Sequence, residues 1–240
     1  MILSGVFYFK MNREIHVIIT AGGKGERFRK GSANPKPKQY QLLGGKPVIL
    51  YSLLAFQKNK FVKSITVSAE AEYFNYLHSL AVKNKTTKLT GLVEGGKSRY
   101  DSVQNAFNQL NCRLDDIVVI HDAARPNLIA AELNSFLETA RKEGEVIPGI
   151  SVSETVKKCK GGYVVETISR EELRLIQTPQ AFRYDVLSRS YIVAGKRTDF
   201  TDEASLVENA SYRVKIIEGN RFNIKITSVE DMTLLKKIMK

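Results

Sequence analysis

A run of β-branched residues, Ile15-His16-Val17-Ile18-Ile19-Thr20, passes directly into Ala21-Gly22-Gly23-Lys24-Gly25-Glu26-Arg27-Phe28. The first half has the character of a strand buried on both faces, which is the signature of a parallel sheet covered by helices. The second half is a loop whose glycines suit backbone conformations and close approaches that a Cβ would block. Between Ala21 and Tyr40 six cations face one anion, a net charge of +5. Bare amides and cations at the end of a first strand suit a polyphosphate. A plain turn with solvated charges is the competing reading. No G-K-[ST] closes the loop, so it is not a Walker P-loop, and the third glycine of a dinucleotide fingerprint is missing.

The segments that follow alternate in period. Val48 to Gln57 reads as a helix with Pro47 at its first position; Ser64 to Ala69 alternates as a strand. Tyr73, Leu77 and Leu80 form a helical stripe, with His78 beside it as a structural or exposed residue. Leu89 to Val93 is a strand, and Ser98 is a candidate N-cap for a helix through Val103, Phe107 and Leu110. Arg99 and Ser102 then fall in that helix's first turn, where capping and surface charge are the ordinary roles. Ile117 to Ile120 is the most hydrophobic strand and ends in His121-Asp122-Ala123-Ala124-Arg125-Pro126. A carboxylate at such a strand tip is a candidate for binding Mg²⁺ or substrate hydroxyls. Alternatively, Asp122 and Arg125 pair with each other and fix the loop. Leu133 to Arg141 is a further helix, and Val146 to Val152 a strand that Pro148 makes bent or places at an edge.

This order predicts an α/β fold with a doubly wound, mainly parallel, Rossmann-like sheet. The alternation breaks at Val152 to Ile168, two alternating strands around Gly161-Gly162, which read as a projecting β-hairpin at about 151–170. A lone hairpin needs its apolar face covered, by a second subunit or by its own sheet. Tyr184 to Ala194 is a helix, and a second opens at Thr201-Asp202. Tyr212 to Glu218 is a strand, Asn223 to Thr227 a short extended piece, and Ser228 caps a terminal helix.

Composition narrows the partners. The 240 residues are 43% hydrophobic, enough for one sizeable core, in one domain or one domain with an appendage. The net charge of +12 calls for an anionic partner. The excess is spread along the chain without a block of like charges, so nucleic acid is not the expected partner. Cys112 and Cys159 have neither metal-ligand spacing nor a disulfide framework, as expected of a cytoplasmic protein. Residues 1–12 are too short for a membrane span, lack a basic leader and have no assigned role.

Seven motifs then occur in order: A-G-G-K-G-E-R-F…P-K-Q-Y, G-G-K-S-R-Y-D-S-V, V-I-H-D-A-A-R-P, E-T-V-K, I-Q-T-P-Q-A-F, T-D-E-A-S-L-V-E and N-I-K-I-T. Together they resemble the 2-C-methyl-D-erythritol 4-phosphate cytidylyltransferases, a resemblance that covers about residues 13–240 as one nucleotidyltransferase domain. The resemblance implies transfer of cytidylate from CTP to methylerythritol phosphate with release of pyrophosphate, aided by Mg²⁺. It implies a homodimer whose β-arms interlock. By motif match, Arg27 and Lys38 would stabilise the transition state, while Arg170 from the partner's arm and Lys225 would position the acceptor phosphate. Ala21, Gly22, Gly23, Gly25, Gly96 and Ser102 would contact CTP. Asp122, Arg125, Thr155, Thr178 and Thr201 would line the acceptor side, with Asp122 also the candidate metal ligand. Gly22 and N-I-K-I-T suit the sister ribitol 5-phosphate cytidylyltransferases as well. A catalytically silent nucleotide- or RNA-binding module is the alternative of another class.

Overall fold

The computed structural model describes residues 13–23, 28 and 36–239. The expectations for Arg27, Gly25, the segment 30–35 and residues 1–12 lie outside them. The first strand, β1 (Ile15–Thr20), is an interior strand of an eight-stranded sheet. Ile15, Val17 and Ile19 point into one apolar layer and Ile18 into the other, so the β-branched run is buried on both faces as anticipated.

A short hairpin, β2 (Leu42–Leu43) and β3 (Lys46–Pro47), leads into α1 (Val48–Lys58). Pro47 is paired in that hairpin with an extended backbone, ψ 138°, so it precedes the helix instead of opening it. The chain continues through β4 (Val62–Ala69), α2 (Phe74–Lys83), β5 (Leu89–Glu94), α3 (Arg99–Phe107), β6 (Ile117–Asp122) and α4 (Ala130–Glu143). Strands β6, β1, β4 and β5 lie side by side and parallel. Helices α1, α2 and α4 cover one face through Leu53, Phe56, Leu77 and Leu137. His78 is exposed on α2.

The second half of the sheet is mostly antiparallel. It contains β7 (Val146–Ser151), β10 (Arg174–Ile176) and β11 (Gln180–Arg183), with β12 (Lys215–Glu218) added parallel to β7. Strand β7 is flanked on both sides, so Pro148 is interior, not at an edge. Its carbonyl accepts from the Gln177 N–H at 2.9 Å, so its hydrogen-less nitrogen faces the same side. That side is where the ladder passes from β11 to β10, and the missing donor falls in the interruption. Helices α3, α5 (Tyr184–Ala194) and α6 (Glu203–Asn209) cover the other face through Val103, Leu187 and Leu206. The terminal helix α7 (Val229–Ile238) packs Met232 and Leu235 against Val48, Phe28 and Ile226.

Strands β8 (Val156–Lys160) and β9 (Tyr163–Ile168) form a separate two-stranded sheet. Gly161 and Gly162 turn it with φ of +59° and +85°, the left-handed pair that a two-residue hairpin loop needs. The hairpin pairs with no strand of the central sheet, and Tyr163, 80% exposed, and Val164, 61% exposed, stay uncovered. Among the described residues no helix is long and apolar enough to cross a membrane.

Candidate active site

Strand β1 is joined to β4 on one side and to β6 on the other, which makes the gap between β1 and β6 a topological switch point. Their C-terminal ends meet there, Thr20 beside Asp122. A cleft of about 970 Å³ opens at that point, within the range of small-ligand sites. One wall is Thr20 to Gly23; the other is Gly95 to Arg99 with Ser102. Lys38, Asp122, Ala124, Lys225 and Thr227 complete it.

The amides of the first wall are held by the side chain of Gln39, whose Nε2 donates to the Ala21 carbonyl at 2.5 Å and to the Gly23 carbonyl at 3.2 Å. A Cβ at Gly22 would meet Gly95 Cα at 3.6 Å, an ordinary contact, and one at Gly23 would meet nothing within 4 Å. Neither position therefore requires glycine on steric grounds in the protein alone: a Cβ at Gly22 would make ordinary contacts, and one at Gly23 would enter open space. Gly96 is different: an added Cβ would stand 2.2 Å from Asp101 Cβ. Asp101 is fixed in a capping box with Ser98 at the start of α3. Gly96→Ala is therefore expected to break this cap and cost about 1–3 kcal/mol of unfolding free energy. Denaturant melts would show it, and calorimetry would show weakened CTP binding alongside. Ser102 sits beneath the same turn, its Oγ accepting from the Gly96 N–H at 3.0 Å and donating to the Ser98 carbonyl at 2.8 Å.

Asp122 is the electrostatic hub. Its Oδ2 lies 2.6 Å from Lys225 Nζ, and its Oδ1 accepts from Arg99 Nε at 3.1 Å and from the Thr20 hydroxyl at 3.2 Å. Burial alone would raise its pKa, but Arg99 and Lys225 outweigh that and hold the carboxyl well below the usual range. Arg99 in turn gives NH1 to both oxygens of Glu203, at 2.9 and 2.8 Å. Burial lowers the Arg99 pKa, yet Glu203 and Asp122 more than reverse it, so the guanidinium stays charged. Lys38 reaches the same region, donating to the Ile226 carbonyl at 2.5 Å. The neighbouring backbone is tied down by the Ile226 N–H donating to Ala124 at 2.8 Å.

Thr178 is buried behind the strand tip, where its Oγ1 accepts from the Asp122 N–H at 3.1 Å. The same oxygen lies 3.1 Å from His121 Nδ1, while His121 Nε2 lies 3.1 Å from the Arg125 carbonyl. A carbonyl only accepts, so Nε2 carries the proton and Nδ1 accepts from Thr178. Burial pushes the His121 pKa down to about 4, which keeps the ring neutral. Arg125 does not pair with Asp122. Its NH1 donates to the Asn223 carbonyl at 2.6 Å, because Lys225 and Arg99 already occupy both carboxylate oxygens.

The structure thus gathers Ala21, Gly22, Gly23, Lys38, Gly96, Ser102, Asp122 and Lys225 around one cleft. Arg125 and Thr178 stand behind it as supports. Thr201 is exposed just ahead of α6, and Thr155 and Arg170 are exposed near the base of the hairpin. There Arg170 donates to the Ser153 carbonyl. Sequence reasoning missed Arg99 and Glu203 as site residues. Both sit in recognised first turns, where Arg99 reads as a solvated charge and Glu203 as one that suits the helix dipole, and nothing local signals that the two meet.

A family model described as 2-C-methyl-D-erythritol 4-phosphate cytidylyltransferase, IspD, matches residues 15–240. The chain is 34% identical over 227 residues to the protein of that name from Halalkalibacterium halodurans, spanning 94% of this chain and 97% of that one. It is 36% identical over 230 residues to the protein of that name from Pelotomaculum thermopropionicum, spanning 95% and 94%. A crystal structure of 4-diphosphocytidyl-2C-methyl-D-erythritol synthase superposes with a TM-score of 0.79 at 26% identity, covering 95% of this chain and all of that one. The Francisella tularensis 2-C-methyl-D-erythritol 4-phosphate cytidylyltransferase gives 0.77 at 29% identity, covering 93% and 99%. With a family model spanning nearly every described residue and relatives above 30% identity along almost their whole length, this chain belongs to the IspD family of nucleotidyltransferases.

Proposed function

We infer that the protein transfers the cytidylyl group of CTP to the phosphate of 2-C-methyl-D-erythritol 4-phosphate, releasing pyrophosphate, as a step of isoprenoid biosynthesis. The observation that carries this reading is the meeting of Lys38, Arg99, Lys225 and Asp122 in a cleft between two glycine-bearing walls. In the reaction an acceptor phosphate oxygen forms a bond to the α-phosphorus of CTP, and the bond to pyrophosphate breaks. Both reactants are anions, so their repulsion is the first obstacle. The attacking phosphate needs no strong base, and positioned cations supply most of the help. Lys38 would serve the α-phosphoryl group, a role that the motif match gives Arg27 as well. Lys225, steered by Asp122, would hold the acceptor phosphate. The amides of Ala21 to Gly23 and of Gly96, with Ser102, would receive CTP.

Asp122 is the one carboxylate among the described residues lining the cleft, and it stays ionised. That donor set fits Mg²⁺, which commonly takes one or two carboxylates and fills its shell with phosphate and water. When bound, the ion would neutralise triphosphate charge. The reading places the enzyme in the cytoplasm.

Arg170 sits at the base of the hairpin instead of lining the cleft of its own chain, and the arm's apolar residues are uncovered. Both support a homodimer in which the partner's arm completes the acceptor side, with Thr155 and Thr201 nearby. The test combines acceptor choice and subunit sharing. Purified protein with CTP and Mg²⁺ should release pyrophosphate with methylerythritol phosphate and not with ribitol 5-phosphate. Lys225→Ala and Arg170→Ala should each weaken acceptor use while CTP binding is retained. Mixing the two variants and re-forming dimers should restore about a quarter of the activity, since half the dimers are mixed and each has one intact site. No recovery on mixing would sink the shared site. Salt-steep RNA binding without pyrophosphate release would sink the enzyme itself.

A further inference from the structure

The opposite end of the sheet holds a second cluster. Glu14, His16 and Asp116 each offer a ligand atom, and these atoms lie within 4.8 Å of one another. Among the described residues this is the only such group of three. It lies where β1 and β6 begin, Ile15 beside Ile117, whereas the cleft lies where they end. Five residue steps along β1 separate the two by ~17 Å.

His16 gives the cluster its chemical character. Its side chain is 8% exposed, and its Nε2 is buried without a hydrogen-bond partner. That nitrogen faces Asp116 Oδ2 at 3.7 Å, beyond hydrogen-bond range. Two atoms that share an ion at about 2.0–2.1 Å each stand roughly 3.3–4.1 Å apart. The other ring nitrogen, Nδ1, lies 2.8 Å from Ser64 Oγ. If it donates there, the ring is fixed with its Nε2 lone pair aimed into the gap, the arrangement a metal-bound histidine uses. Asp116 is held by backbone N–H groups, from Glu14 at 2.9 Å and from Arg113 at 2.8 Å.

We propose that Glu14, His16 and Asp116 form a structural site for Zn²⁺ that staples the start of β1 to the loop entering β6. An imidazole among carboxylates selects a first-row ion such as Zn²⁺ over Mg²⁺. Two carboxylates and one neutral imidazole balance the ion's charge. The cations that neutralise the carboxylates now are Lys63 on Glu14, an exposed pair that can part at little cost, and Arg113 on the buried Asp116, whose charge the ion would have to replace.

The test uses the full-length protein in a Cys159→Ser background, which removes the exposed thiol. After chelator treatment and dialysis it is titrated with zinc chloride against a chromophoric chelator. One Zn²⁺ per chain should bind, and the thermal midpoint should rise with Zn²⁺ and not with Mg²⁺. His16→Gln and Glu14→Gln should each weaken binding by about 10-fold or more. Glu14→Gln leaves the buried ring in place, so it stands if the histidine variant folds poorly. Unchanged affinity and stoichiometry in Glu14→Gln, or no binding up to about 100 µM Zn²⁺ (a concentration far above that of a formed zinc site), would overturn the proposal.

Discussion

Replacing Lys38 with alanine is expected to lower kcat by about 10²- to 10³-fold, with the Kd for CTP changed only a few-fold. The ammonium is held in place before any substrate arrives, by the Ile226 carbonyl at 2.5 Å. A charge fixed in advance pays no reorganisation when negative charge builds on the α-phosphoryl group. The same contact makes Lys38 a strut between the loop after β1 and the chain ahead of α7. Its removal should therefore also cost about 1.5–3 kcal/mol of stability, as for a hydrogen bond to a charged group. Lys38→Met, which retains the stem but neither the charge nor the donor, should show both losses, because the ammonium carries both roles. Single-turnover rates with saturating CTP are the measurement. A lost CTP affinity with an intact rate would show that Lys38 grips the ground state instead.

The largest effect on stability should come from Arg99→Ala, about 3–5 kcal/mol. This variant strands the Glu203 carboxylate, whose side chain is 3% exposed, and takes one of the two cations from Asp122. Burial already raises the Glu203 pKa, and Arg99 is the main force opposing it. Without Arg99 the carboxyl should take up a proton, so its folded pKa rises further above the unfolded value. Such a group gives its full stability below the unfolded pKa and loses it as pH climbs through the folded one. The deficit of the variant should accordingly be small near pH ~5 and grow toward pH ~8. Urea melts across that range, set against wild type, would check the sign. The double variant Arg99→Met/Glu203→Leu should recover most of the stability, because an apolar pair replaces a desolvated ionic one. It should not recover activity, since Asp122 and Lys225 lose their steering partner. Full activity in the double variant would show that the Arg99–Glu203 pair serves folding alone.

Much of the architecture is written in local pattern. The two-faced run at β1, the helical stripes of α1 and α2, and the glycine pair that turns β8 into β9 each depend on neighbours two to four residues away. The N-caps at Ser98 and Ser228 are equally local, as is the one at Asp202, between which and Thr201 the sequence leaves the choice open, since each side chain bonds an amide three residues on. These features could be read directly, and so could the strand tip that carries Asp122.

Partners across the fold could not. Arg99 and Glu203 stand 104 positions apart, and they meet only because α3 and α6 cover the same face of one sheet. Pro148 reads as the mark of a bent strand or of an edge until β10 and β11 are seen to divide beside it. Arg125 reads equally as the mate of Asp122 or as a separate ligand-side residue until Lys225, brought in from the chain ahead of α7, is seen on that carboxylate. Periodicity and capping are short-range and survive in the residue order. Which charge neutralises which is decided by distance and burial, and those exist only once the strands have been ordered and the helices laid against them.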